Sequence, residues 1–128
     1  MKGSQIDIQT VKDYLSEKHK KIKTLKIKER DEIISTFMKL SNLWEKYGVE
    51  RVYLYGSVAE LSFHKYSDID IALEPFIDFE TLLKLYSEIN RYFKKEVDIR
   101  LLSELPFSEK IRKEGIILYE RKNSSLKK

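Results

Sequence analysis

Apolar residues recur at helical spacing from Asp7 to Tyr47, and after Gly48 the period shortens to two. Ile8, Val11, Leu15, Ile22 and Leu25 fall on one helical stripe, with Lys18, Lys20, Lys21, Lys23, Lys26 and Lys28 crowding the rest of that stretch. This pattern predicts an amphipathic helix broken near residues 20–27. Ile33, Phe37, Leu40, Trp44 and Tyr47 step by intervals of four and three and predict a second helix, which Gly48 stops. The run Arg51-Val52-Tyr53-Leu54-Tyr55 suits a short strand that ends at Gly56-Ser57. Residues 58–66 read as a turn with one helical turn, and Asp68-Ile69-Asp70-Ile71-Ala72-Leu73 alternates as a second strand closed by Pro75. Further on, a helix is predicted from Asp78 to Phe93 and a strand from Glu96 to Leu102. A short helix follows at about 106–114, then a last strand from Ile116 to Tyr119 and a polar tail. The order predicts an α/β or α+β domain: a small mixed sheet flanked by helices, with an N-terminal helical extension.

The chain has 128 residues, a length that suits one domain and leaves no room for a separate substrate-binding domain. The expected division is 1–47 for the N-terminal helices, 48–120 for the core and 121–128 for a flexible tail. There is no cysteine, which excludes disulfides, thiolate metal sites and cysteine nucleophiles. No stretch resembles a signal peptide or a membrane span, so the expectation is a cytoplasmic protein with no membrane role.

A net charge of +4 invites a nucleic-acid reading, but the charge is unevenly placed. Residues 47–120 carry 10 Lys/Arg against 14 Asp/Glu, whereas residues 1–46 carry 11 against 7 and the tail carries only basic residues. The core is therefore acidic and the flanks basic. An acidic core needs cations before it accepts a polyphosphate.

The chemistry concentrates in Gly56-Ser57, the Asp68-Ile69-Asp70 triplet ten residues on, and Asp98 between Val97 and Ile99. Residues two apart on a strand project to the same face, so Asp68 and Asp70 point together while Ile69 and Ile71 face the helices. If the third strand lies beside the second, Asp98 joins them. Three clustered carboxylates repel one another, and a divalent cation with a preference for hard oxygen ligands, Mg²⁺ or Mn²⁺, compensates them. The Gly56-Ser57 turn offers backbone N–H groups and a hydroxyl to phosphate oxygens. Alone, a Gly-Ser turn commonly just ends a strand, and an Asp-x-Asp pair is commonly a solvated edge.

Taken together, Gly56-Ser57-Val58-Ala59, Ser67-Asp68-Ile69-Asp70-Ile71 and the later Asp98 resemble the minimal nucleotidyltransferase family of the DNA polymerase β superfamily, over about residues 49–120. The resemblance implies a polymerase β-like fold and a nucleoside triphosphate substrate. It assigns Gly56 and Ser57 to phosphate binding, and Asp68, Asp70 and Asp98 to metal and catalysis, with Asp98 also receiving the proton of the attacking hydroxyl. It further implies transfer of AMP from ATP to a hydroxyl of a partner protein, in the manner of antitoxins paired with a HEPN-type toxin, a helical ribonuclease. One departure stands out: where the family has Arg-Gly, this chain has Glu60-Leu61. That exchange removes a cation beside the polyphosphate path and motivates an alternative, a degenerate antitoxin that binds nucleotide or protein and acts by contact alone.

Other residues read as structure. His19 and His64 have no partner at metal-ligand spacing, and Trp44 belongs to a core stripe. Lysines 18–28 form a solvated face, with RNA or an acidic partner as the alternative ligand. There is no phosphate-binding P-loop motif. Base preference, acceptor, number of metal ions and oligomeric state are open at this level.

Overall fold

The computed structural model describes residues 7–122. Helix α1 spans Ile8–Met38, α2 Ser41–Lys46, β1 Arg51–Tyr55, α3 Gly56–Glu60, β2 Ile69–Glu74, α4 Phe79–Ile89, β3 Val97–Leu101, α5 Ser108–Glu114 and β4 Ile116–Glu120. Single 3₁₀ turns follow α4 and β3. The four strands form one sheet in the order β3-β2-β1-β4. β2 and β3 are parallel, and the other pairs antiparallel, so the sheet is mixed as the sequence predicts. A parallel pair needs a crossover, which α4 supplies.

The expected break near residues 20–27 does not occur. α1 runs unbroken for 31 residues, because no Gly or Pro interrupts a segment rich in Lys, Glu, Ile and Leu. Asp7 caps it, accepting from the Gln9 N–H at 3.1 Å and the Thr10 hydroxyl at 2.8 Å. The chain breaks instead at Lys39–Leu40, between the two halves of the predicted second helix, and α2 carries Trp44 onward. Gly48 stops the helical region with φ +76°, as a left-handed C-terminal stop requires.

Strand alternation divides the sheet into two faces. Val52, Leu54, Ile69, Ile71, Leu73 and Val97 turn to the main core, where they meet Phe37 and Trp44 of the N-terminal helices and Leu85 and Ile89 of α4. Phe37 stacks on Trp44 and packs against Phe93, with ring centroids 6.2 and 4.4 Å apart. The opposite face carries Tyr53, Tyr55, Asp70, Ala72, Glu74, Asp98 and Arg100. α5 covers only part of it, through a smaller cluster of Tyr53, Ala72, Leu102, Leu105 and Ile111. Arg112 of α5 ties this cover down by bonding the buried Glu74 carboxylate at 3.1 Å, while the Tyr53 hydroxyl donates to the same carboxylate at 3.2 Å.

The core grips α1 only at its C-terminal end: Ile33 and Phe37 are buried, whereas Ile8, Val11, Leu15, Ile22 and Leu25 are exposed. No helix among the described residues is long and apolar enough to cross a membrane. Phe37→Ala should therefore cost about 3–5 kcal/mol and Leu15→Ala no more than about 0.5 kcal/mol, read from urea unfolding midpoints. A large loss at Leu15 would mean that the first half of α1 packs on the domain.

Candidate active site

The chemistry-bearing residues gather on the face that the N-terminal helices and α4 leave free. β2 and β3 pair with Asp70 directly beside Asp98, and β1 sets Tyr55 opposite Asp70 on the other side. In-register neighbours share a face, so Tyr55, Asp70 and Asp98 form a row across three strands. The strand neighbour on which Asp98 depended is thus present. Asp68 sits one residue before β2, exposed at the start of that inner strand.

Gly56 begins α3 where β1 ends. It has φ +75°, and a Cβ placed there would lie 2.5 Å from Asp70 Oδ2. Both its conformation and its contact therefore call for glycine. The turn thus lies directly against the central carboxylate. Ser57 is half-buried in the same first turn, with its carbonyl accepting from the Ser62 N–H at 2.9 Å.

Burial and, next, the neighbouring charges of Asp98 and Asp68 push the Asp70 carboxyl up to about 6, with Arg100 partly countering them. Tyr55 is raised to about 12, by burial first and then by Asp70 and Asp98, so it remains a neutral phenol. Arg100, two residues beyond Asp98 on the same strand face, bonds Asp98 Oδ2 at 3.2 Å. Among the described residues no three His, Asp or Glu side chains converge into a finished metal cage. The donor chemistry nonetheless suits a hard cation: the charges of Asp98 and Asp68 add to the burial that holds the Asp70 proton to about pH 6.

Two cavities flank this row. One, of about 470 Å³, lies between the Gly56 turn and α5 and is lined by Tyr55, Glu60, Phe107, Lys110 and Glu114 among others. The second, of about 660 Å³, opens beside Asp68 among Lys26, Lys65, Lys94 and Lys95. Lys95 is occupied there, donating to the carbonyls of His64 and Lys65 at 2.8 and 3.0 Å.

The Glu60-Leu61 departure has a clear structural outcome. Leu61 caps α3 in the left-handed conformation, φ 62° and ψ 27°, the region a glycine occupies without strain. Leu61 packs its side chain on the core. What changes is charge, because Glu60 presents a carboxylate to the first cavity.

Sequence reasoning missed Tyr55, Arg100 and the Glu74–Arg112 pair. Arg100 was legible, since alternation from Asp98 puts it on the same face. Tyr55 and Arg112 needed the strand register and the placement of α5.

An acidic row on a mixed sheet, with a glycine turn pressed against it, is an architecture suited to phosphate-group chemistry. Residues 38–124 match the family model described as polymerase beta, nucleotidyltransferase, and the chain belongs to that family. Two solved structures share the fold. One is described as a toxin-antitoxin with AMP-PNP; it has 21% identity and a TM-score of 0.55, over 70% of this chain and 74% of that one. The other, a mutant of the toxin-antitoxin MntA-HpeT, has 20% identity and a TM-score of 0.52, over 66% and 72% respectively. No curated protein matches the sequence.

Two outcomes follow from the geometry. Gly56→Ala forces a Cβ onto Asp70 at a positive φ and should cost about 1–3 kcal/mol in chemical unfolding; a neutral result would refute the close approach. The native state holds the Asp70 proton to about pH 6 while the unfolded chain releases it near 3.8, so Asp70 makes stability fall as pH rises through that window. Asp70→Asn should then raise stability by about 1 kcal/mol at pH 7 and leave it almost unchanged at pH 4, in thermal melts without divalent metal. A gain that does not depend on pH would contradict this.

Proposed function

We propose that the protein is a metal-dependent nucleotidyltransferase that moves AMP from ATP to a hydroxyl of a partner protein, as the cytoplasmic antitoxin of a HEPN-type toxin. The observation that carries this reading is the registered pair Asp70–Asp98 with Gly56 packed against it. Support comes from membership of the nucleotidyltransferase family and from the fold shared with toxin-antitoxin proteins, one of them crystallised with AMP-PNP.

In this proposal Asp68, Asp70 and Asp98 hold Mg²⁺ or Mn²⁺, which would neutralise charge developing on the phosphates. Gly56 and Ser57 bind phosphate oxygens through backbone N–H groups and the serine hydroxyl. Asp98 takes the proton of the attacking hydroxyl, while Arg100 holds its Oδ2 and keeps a cation beside the reacting groups. Tyr55, protonated at any physiological pH, is a donor on the same row.

A second reading, inhibition of the partner by contact alone, is favoured by one observation. Glu60 and Glu114 put two carboxylates into the lining of the cavity beside Gly56, against the single cation of Lys110.

The two separate in one experiment: incubation of the protein and its co-encoded neighbour with α-labelled ATP and Mg²⁺, beside calorimetry with ATP. Transfer predicts label on the neighbour, lost in Asp70→Ala and Asp98→Ala. ATP binding with no label on the neighbour would sink transfer and leave contact inhibition. Glu60→Arg should tighten ATP about tenfold, a gain of about 1.4 kcal/mol.

A further inference from the structure

The family domain begins at residue 38, so almost all of α1 lies outside it. Residues 8–25 of that helix are exposed throughout. At about 1.5 Å per residue they make an arm of roughly 27 Å. The arm is amphipathic, and among the described residues its apolar stripe is left exposed. Ile8, Val11, Leu15, Ile22 and Leu25 occupy the two seam positions of a seven-residue repeat, broken only by Lys18. Ile33 and Phe37, which the core buries, lie on the same side of the helix but outside that seven-residue register.

The positions flanking the seam identify the occupant. They are Lys12, Tyr14, His19, Lys21, Lys26 and Lys28, with no acidic residue among them. A second copy of the arm would set lysine against lysine in either orientation, for example Lys21 against the other copy's Lys26 in parallel pairing. Like charges across a seam disfavour such a pair. A helix with apolar seam residues and glutamates or aspartates beside them meets the arm with opposite charge at its four lysine flanks.

We propose that the N-terminal arm of α1 is a docking site for an amphipathic helix with acidic flanks, contributed by a partner protein. The docked helix is led to the active site. Ile22, Lys23 and Lys26 line a cavity of about 420 Å³ together with Glu60 and Leu61, so the inner end of the arm adjoins the turn that follows Gly56. Docking does not require nucleotide transfer, and each can fail without the other.

The test uses the full chain and a fluorescent four-heptad peptide with leucine at both seam positions and glutamate at the flanks. A lysine-flanked version of the peptide, a single-stranded RNA oligomer and phosphatidylserine vesicles serve as competing ligands. The acidic peptide should bind with an anisotropy rise that weakens as salt increases, and the lysine-flanked peptide at least about tenfold more weakly. Val11→Glu with Leu15→Glu, both on the exposed seam, should abolish peptide binding while the circular dichroism spectrum and the calorimetric response to ATP stay as in the parent. Self-association that the same variant removes, or RNA or vesicles displacing the acidic peptide, would overturn the proposal. Absence of peptide binding would do so as well.

Discussion

Two carboxylates facing each other in adjacent parallel strands are a standing electrostatic cost, and much of the fold bears on it. Asp70 and Asp98 cannot move apart, because the β2–β3 register fixes them and α4 fixes that register. Burial makes the repulsion felt, so the proton on Asp70 is held to about pH 6. Arg100 answers part of it from the next position on the same face. Gly56 closes the third side with a backbone that has no side chain to intrude. A divalent cation bound to the same carboxylates, as proposed, would turn this repulsion into affinity, since the carboxylates are already assembled before the ion arrives.

The same alternation that gathers the carboxylates hides everything else. Each strand gives its odd or even residues to a dry core shared with the N-terminal helices and α4, and the remainder to a face that α5 only half covers. The covered half is secured by a charged pair, Arg112 on Glu74, where an apolar contact would have sufficed for packing alone. The open half is where substrate can approach. The larger core thus lies behind the sheet, and the carboxylates share the front with a smaller packed cluster.

How much of this was legible in the sequence varied with the range of the interaction involved. The four strands and the α4 crossover followed from period and punctuation, because those signals are local. The direction of Asp68 and Asp70 followed from the pleat. Asp98 could be placed only by assuming that β3 lies next to β2, which is a long-range fact. The error at α1 arose from reading a lysine cluster as a break. Lysine is a good helix former, and a helix ends where capping or packing ends it, here at Lys39–Leu40. The left-handed backbone of Leu61 was not legible at all, because nothing in a single sequence reports φ.

An unbroken α1 behaves as a ruler as well as a surface. Because 31 residues turn as one rigid rod anchored at Ile33 and Phe37, the distance and the angle from the arm to Asp98 are set by residue count. Each residue inserted between anchor and seam would swing the seam by about 100° and lengthen the arm by about 1.5 Å. The joint between arm and domain is therefore intolerant of insertions even where every side chain is solvated. Length there carries information that composition does not.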